Sequence, residues 1–328
     1  MASDHNSFQM LCIFTNLVMV LAVSLLVTCS LALQYSFQEP LPGLLHHSLE
    51  EMSDAKPSPI SPAPWLHVTW AVVMAWQLAL ALHALISVFR KWGGVPVYTS
   101  PVLLSVPVLM SVIAACGLSG GWFLLYDQNR TTTSCVLAGL AMVLAWMAFG
   151  FSLSSLEENL FRLSKAERYS EILLHRLIVH NGLALYAMWS MYVAACNVAV
   201  AMIHNEKHSV DKDLSTGVAM TMMAVFMVGY FLMDVTCLDR FTRYTGTPYM
   251  VSIFVLSACI FRQEDWKSDD VNFIFLACLL TLAFLFCMAK SACVLCRVMR
   301  PNKHGSIDVT SVSFRRAVPE DEGRYLLK

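Results

Sequence analysis

Eight stretches of this chain are apolar and long enough to reach across the hydrocarbon core of a bilayer, and that property restricts the fold to a helical membrane bundle. A core of ~30 Å takes about 20 predominantly apolar residues in a helix. No water is present there, so the backbone N–H and C=O groups must be satisfied within each segment. The runs fall at residues 10–33, 65–89, 101–126, 134–156, 174–203, 214–234, 244–261 and 271–296. The seventh is the shortest and opens with Gly246 and Pro248, so both a full crossing and a re-entrant segment fit it.

Composition agrees. Hydrophobic residues make up 57% of the chain and charged residues 14%, against roughly a quarter charged in soluble domains. The net charge of −1 excludes nucleic acid as an expected partner, because a phosphate-binding surface needs a basic excess. The first run lacks a positive leader and is too long for the apolar part of a signal peptide, so it is read as a span.

Orientation follows from Lys and Arg near the ends of the spans. One set of connections holds Arg90, Lys91, Arg162, Lys165, Arg168, Arg176, Arg240 and Arg243, and the tail adds Lys290, Arg297, Arg300 and Lys303. The opposite set holds Lys56, Arg130, Lys207, Lys212, Arg262 and Lys267. Twelve against six places the first set in the cytosol, with both termini there. The sequon at Asn129 then falls on the outer side, where glycosylation is expected. Residues 34–64, acidic and rich in Pro and Ser, are expected to be an extended outer loop. Residues 157–176 carry alternating charge and read as a helical extension along the headgroups.

Polar residues within spans cost free energy in lipid and normally face the bundle interior. His67, Trp70, Met74 and Gln77 share one face of the second span, with Trp76 and His83 on the next. The fifth span presents His180, Asn181, Tyr186, Trp189, Tyr192 and Asn197. Two readings stand for these faces: helix-to-helix hydrogen bonding with interfacial anchoring, or a pocket for a flat amphipathic ligand. Motifs for hydrolysis or nucleotide binding are missing, and the acids near membrane depth are Asp234 and Asp239, the latter expected to pair with Arg240 or Arg243. A non-catalytic protein without metal or bound cofactor is therefore expected. His204, Glu206 and His208 have a spacing that an extended metal-binding strand could use, but a solvated loop is the simpler reading. Cys293 and Cys296, beside Arg297 and Arg300, fit either juxtamembrane acylation or idle thiols.

The spacing Tyr186-x-x-Trp189-x-x-Tyr192-x-x-x-x-Asn197 resembles the last-helix motif of the TspO/translocator (tryptophan-rich sensory protein) family. Pro64-Trp65 followed by Trp70 is similar to the Trp-rich start of that family's second helix, and Trp122 stands in the third span. Met74 and Ser119 depart from the family, which has Tyr and Asn there. The resemblance covers residues 1–204 and implies a five-helix bundle binding a porphyrin- or sterol-like ligand, with Trp70, Trp189 and Asn197 lining the pocket. Gln77, Tyr186 and Tyr192 complete the expected ligand-binding set. Residues 205–300 would add three spans, and 301–328 a disordered cytosolic tail.

The expected function is the binding or transport of a hydrophobic planar ligand by an all-α bundle of about eight helices. The alternative is a membrane receptor or scaffold acting through its loops and tail. Glu322 followed by Leu326 and Leu327 resembles an acidic dileucine sorting signal, so the expected location is the plasma membrane or an endolysosomal membrane.

Overall fold

The computed structural model describes residues 49–98, 101–205, 209–262 and 270–298, with isolated positions at 14, 15, 18, 21, 22, 25 and 47. The dileucine residues Glu322, Leu326 and Leu327, together with Glu206 and His208, lie outside the described residues. Helices α1 (Leu49–Ala55), α2 (Val68–Phe89), α3 (Val106–Asp127), α4 (Thr131–Lys165), α5 (Tyr169–Leu174), α6 (Asn181–Ile203), α7 (Lys212–Thr236), α8 (Asp239–Thr242), α9 (Thr247–Arg262) and α10 (Val271–Val298) follow in order. A 3₁₀ turn at Pro64–His67 leads into α2, and a π-helical stretch at His175–His180 joins α5 to α6.

Six of these segments are long and apolar enough to cross a membrane: Pro64–Phe89, Val106–Asp127, Thr131–Lys165, Tyr169–Ile203, Lys212–Thr236 and Val271–Cys296. The protein is therefore an integral membrane protein built from helices. Of the first expected span, the described positions Phe14, Val18, Leu21 and Leu25 are helical and buried. They recur at i, i+4, i+7 and i+11, one face of a helix. At 16 residues, α9 is an apolar helix shorter than these six. Its first turn meets Asn181 at the start of α6, and its last meets residues 60–63.

α6 is the axis. In the Tyr169–Ile203 segment 83% of the most apolar window is buried, against 22% for Val271–Cys296, which places α6 at the centre and α10 at the rim. α2, α4, α7 and α9 pack around α6; α3 packs on α4, and α10 covers α7 and α9. Small residues allow the close approach of α4: Ala138, Ala141, Ala145, Ala148 and Ser152 form its buried stripe. Without a hydrophobic driving force between helices in lipid, such close packing carries much of their association. The opposite face of α4 exposes Val136, Leu140, Val143 and Met147. An apolar outer face is what lipid requires.

Local signals set the ends. Asp211 caps α7 by accepting from the N–H groups of Asp213 (3.0 Å) and Leu214 (3.3 Å), as a short acidic cap should. Lys91–Trp92 pairs with Val95–Pro96 in a tiny antiparallel ribbon. Its turn needs Gly93 and Gly94 at φ +56° and +83°, a region where only glycine rests without strain. The 35 residues of α4 measure roughly 52 Å at 1.5 Å each, so its charged last turns project beyond the core. That agrees with the helical extension expected near residue 157.

The connections fall into two groups by contact. At one end Arg262 pairs with Asp54, His204 donates to the Pro57 carbonyl (3.2 Å) and Asn272 donates to Asp213 (2.9 Å). At the other, Arg90 pairs with Glu171, Arg168 lies over the Trp92 ring and Arg176 over the Tyr244 ring. Arg262 of one Lys/Arg set thus lies in the first group, and Arg90, Arg168 and Arg176 of the other lie in the second. Asp239 pairs with Arg243 (3.4 Å).

Two expectations need correction. Residues 49–67 are not an extended loop: α1 and the segment after it fold back over the bundle, and Ile60 and Leu66 are fully buried. The Pro residues set local direction, Ile60 among them supplies one anchor and Leu66 just after them the other. Lys290 does not belong with the charges of the tail, since it is buried within α10 and paired with Asp234 at 2.6 Å.

Candidate ligand-binding chamber

Four of the six expected ligand residues meet at one place. Trp70 of α2 packs edge-on against Trp189 of α6 (5.4 Å between ring centroids) and stacks on Trp122 of α3 (5.6 Å). Phe123 lies 5.0 Å from Trp70, and Tyr126 stacks on Trp122 at 5.5 Å. Trp122 donates its indole N–H to Asn197 Oδ1 (2.9 Å), while Asn197 Nδ2 donates to the Val193 carbonyl one turn back (2.8 Å). The result is a cage of rings from three helices, with Trp70, Trp122, Tyr126, Trp189, Tyr192 and Asn197 on its walls. Helix periodicity explains the assembly: Trp122 and Tyr126 are one turn apart, as are Trp189, Tyr192 and Cys196.

The other two expected residues stand aside from the cage. Gln77 donates to the Gly182 carbonyl (2.8 Å) and so ties α2 to α6. Tyr186 is fully buried and shares a hydrogen bond with Ser119 (2.8 Å). Next to Gln77, Trp76 donates to the Ile178 carbonyl (3.1 Å). The π-helical stretch shifts the hydrogen-bond ladder at this point and leaves backbone acceptors facing α2. The α2–α6 seam is thus a packing device, and the cage lies along the same helices beyond it.

Residues 53–66 form the roof. Ser53, Ser58, Ser61, Pro62 and Leu66 line the chamber from above. The roof is fastened mainly to α9: Ala63 N–H donates to the Ala258 carbonyl (3.0 Å), Cys259 Sγ to the Ile60 carbonyl (3.2 Å) and Arg262 to the Pro62 carbonyl (3.0 Å). Lys56 lies over the Tyr126 ring at 5.1 Å from its centroid. Burial lowers the pKa of its ammonium from the usual value, opposed by the charge of Asp127. Beneath the roof lies a partly open cavity of about 80 Å³. A void of roughly 150 Å³ is needed for a single benzene, so in this state the rings mostly fill their own cage.

Two further features matter. Asp234, wholly buried, accepts from Lys290 Nζ (2.6 Å), Thr242 and Tyr249, which joins α7, α8, α9 and α10 through one carboxylate. A wider apolar hollow of about 580 Å³ lies between α4 and α7, walled by Trp146, Phe149, Leu153, Phe226 and Tyr230. The described residues contain no cluster of three or more His, Cys, Asp or Glu that could hold a metal ion. Asn129 is exposed at the α3–α4 turn with φ +61°, and Cys293 and Cys296 are exposed on the last turns of α10.

Sequence reasoning missed Tyr126, Lys56, Ser53 and Ser58. A signal for Tyr126 was present, because it repeats Trp122 at i+4. None existed for the roof, whose contacts to α9 span about 200 residues.

Taken together, fold and site define a polytopic α-helical membrane protein with a roofed aromatic chamber at one end of its bundle. No family model matches the chain, and no curated protein or solved structure does so either.

Proposed function

We propose that the chain binds, and in doing so helps to move, a hydrophobic planar ligand of porphyrin- or sterol-like shape in the aromatic chamber. The observation behind it is the convergence of Trp70, Trp122 and Trp189 with Asn197 beneath a separate cover. Faces of this kind, with a few polar atoms among them, suit a flat ligand. The likeness of the fifth span to TspO/translocator proteins points the same way, and the role is one of binding, not catalysis. Because the cavity holds about 80 Å³, loading requires the stacked rings to part, with the roof moving to make room. The α4–α7 hollow is larger but lacks a stacked cage of this kind.

Purified protein should lose tryptophan emission saturably as a porphyrin is added. Trp189→Leu should weaken that binding more than about fivefold, the equivalent of the ~1 kcal/mol expected of one aromatic contact. Unsaturable quenching, or unchanged affinity in the variant, would favour the competing reading of a receptor or scaffold, which draws on the tight closed packing.

The proposed orientation puts the chamber outside and the α4–α5 connection in the cytosol, at a plasma or endolysosomal membrane, with Asn129 glycosylated. A cysteine placed at Ser164 should resist membrane-impermeant thiol reagents in intact cells whose other reactive cysteines are blocked. Labelling there would reverse the orientation.

A further inference from the structure

The roofed chamber, lined by Ser58 and Trp189, and Lys56 of the roof beside it carry an imbalance in hydrogen bonding. Lys56 Nζ, Ser58 Oγ and Trp189 Nε1 are buried, and none of the three has a hydrogen-bond partner among the described residues. Each can donate, and none is a carbonyl or a carboxylate. The residues themselves are 7%, 4% and 4% exposed, so water does not satisfy them from outside. An unmade bond at such a site is costly, more so for a charged group.

The neighbouring charges are already taken. Asp127 accepts from the backbone N–H of His47 (2.9 Å) and faces its ring nitrogen (3.3 Å). Arg262 holds Asp54 and the Pro62 carbonyl. Asp127 acts on Lys56 through its charge alone. Lys56 stands behind the chamber wall, its ammonium on the face of Tyr126, and Tyr126 is one of the lining rings. A cation on an aromatic face gains a modest attraction but still lacks an acceptor.

We propose that the ligand is an amphipathic acid: a flat apolar body lies among Trp70, Trp122 and Trp189, and its carboxylate is taken by Lys56 with help from the Ser58 hydroxyl. The inference rests on the ligand-binding reading of the chamber and adds a charge to that ligand. It also gives the roof a role in recognition, since Lys56 and Ser58 both belong to it. A bound acid would supply Lys56 and Ser58 with an acceptor and would hold the roof down.

The test uses two probes with one ring system, 1-pyrenebutyric acid and its methyl ester, on the purified full-length protein in a nonionic detergent. Binding is read as saturable pyrene emission sensitised by tryptophan. The acid should bind at least tenfold more tightly than the ester. That preference should vanish in Lys56→Met, persist in Lys56→Arg, and persist in Lys212→Met, which removes an exposed lysine of α7. Equal binding of acid and ester by the wild-type protein would overturn the inference and leave the chamber reading in place, whether or not the Lys56 variants fold. An acid preference that survives Lys56→Met would also overturn it, by assigning the carboxylate to another group. If neither probe binds saturably, the chamber reading and the inference fall together.

Discussion

Replacing Lys290 by Met should lower the stability of the bundle by roughly 3–5 kcal/mol, the cost of leaving one member of a buried ion pair without the other. Asp234 is wholly buried, and Lys290 is its only cationic partner among the described residues. Tyr249 and Thr242 would still donate to it, but two hydroxyls do not neutralise a carboxylate in a low-dielectric bundle. The double variant Asp234→Asn with Lys290→Met should recover most of the loss, since replacing both members of a buried pair by neutral groups is often close to neutral. Thermal unfolding in detergent, followed by exposure of buried cysteines to a thiol-reactive dye, gives the comparison. A double variant no more stable than Lys290→Met would show that the pair is not the dominant interaction.

The second large effect is expected at Gly182. A Cβ there would stand 2.6 Å from Cδ1 and 3.0 Å from Nε1 of Trp76. The indole cannot swing aside freely, because its N–H is held by the Ile178 carbonyl. Gly182→Ala should therefore force α2 from α6 and lose the Gln77 bond to the Gly182 carbonyl, an overpacking cost of roughly 1–3 kcal/mol. Gly182→Val should be worse. Trp76→Leu, placed in the Gly182→Ala background, should restore part of the melting temperature by making room. If Gly182→Ala melts with the wild type, the two helices have more slack than these distances allow.

What could be read in the sequence divides along physical lines. Six of the expected spans were legible because length and apolarity are local properties, and the lipid-facing and buried stripes of α4 follow its 3.6-residue period. Trp70, Trp189 and Asn197 were legible as an inward face for the same reason, and their partnership followed from the cost of a polar atom in lipid. That cost says an atom must find a partner but not which one. Gln77 found a backbone carbonyl and Tyr186 found Ser119, so both lie outside the cage. Lys290 was misplaced because a positive charge at the end of an apolar run ordinarily faces water, and its partner is 56 residues earlier. The roof was misread because Pro and Ser usually mark an extended loop. Ile60 was the contrary sign, and only tertiary contact gives it weight.

The fastening of residues 60–63 to α9 changes how the two parts of the chain relate. The walls of the chamber come mostly from α2, α3 and α6, whereas its cover is latched chiefly by Ala258, Cys259 and Arg262. The first 204 residues hold the cage but not the keeper for its latch. Any tilt of α9 would be felt at the mouth of the chamber, and α9 shares the Asp234 carboxylate with α7 and α10 through Tyr249. A displacement among the last helices, remote from the rings, could thus decide whether the chamber admits a guest.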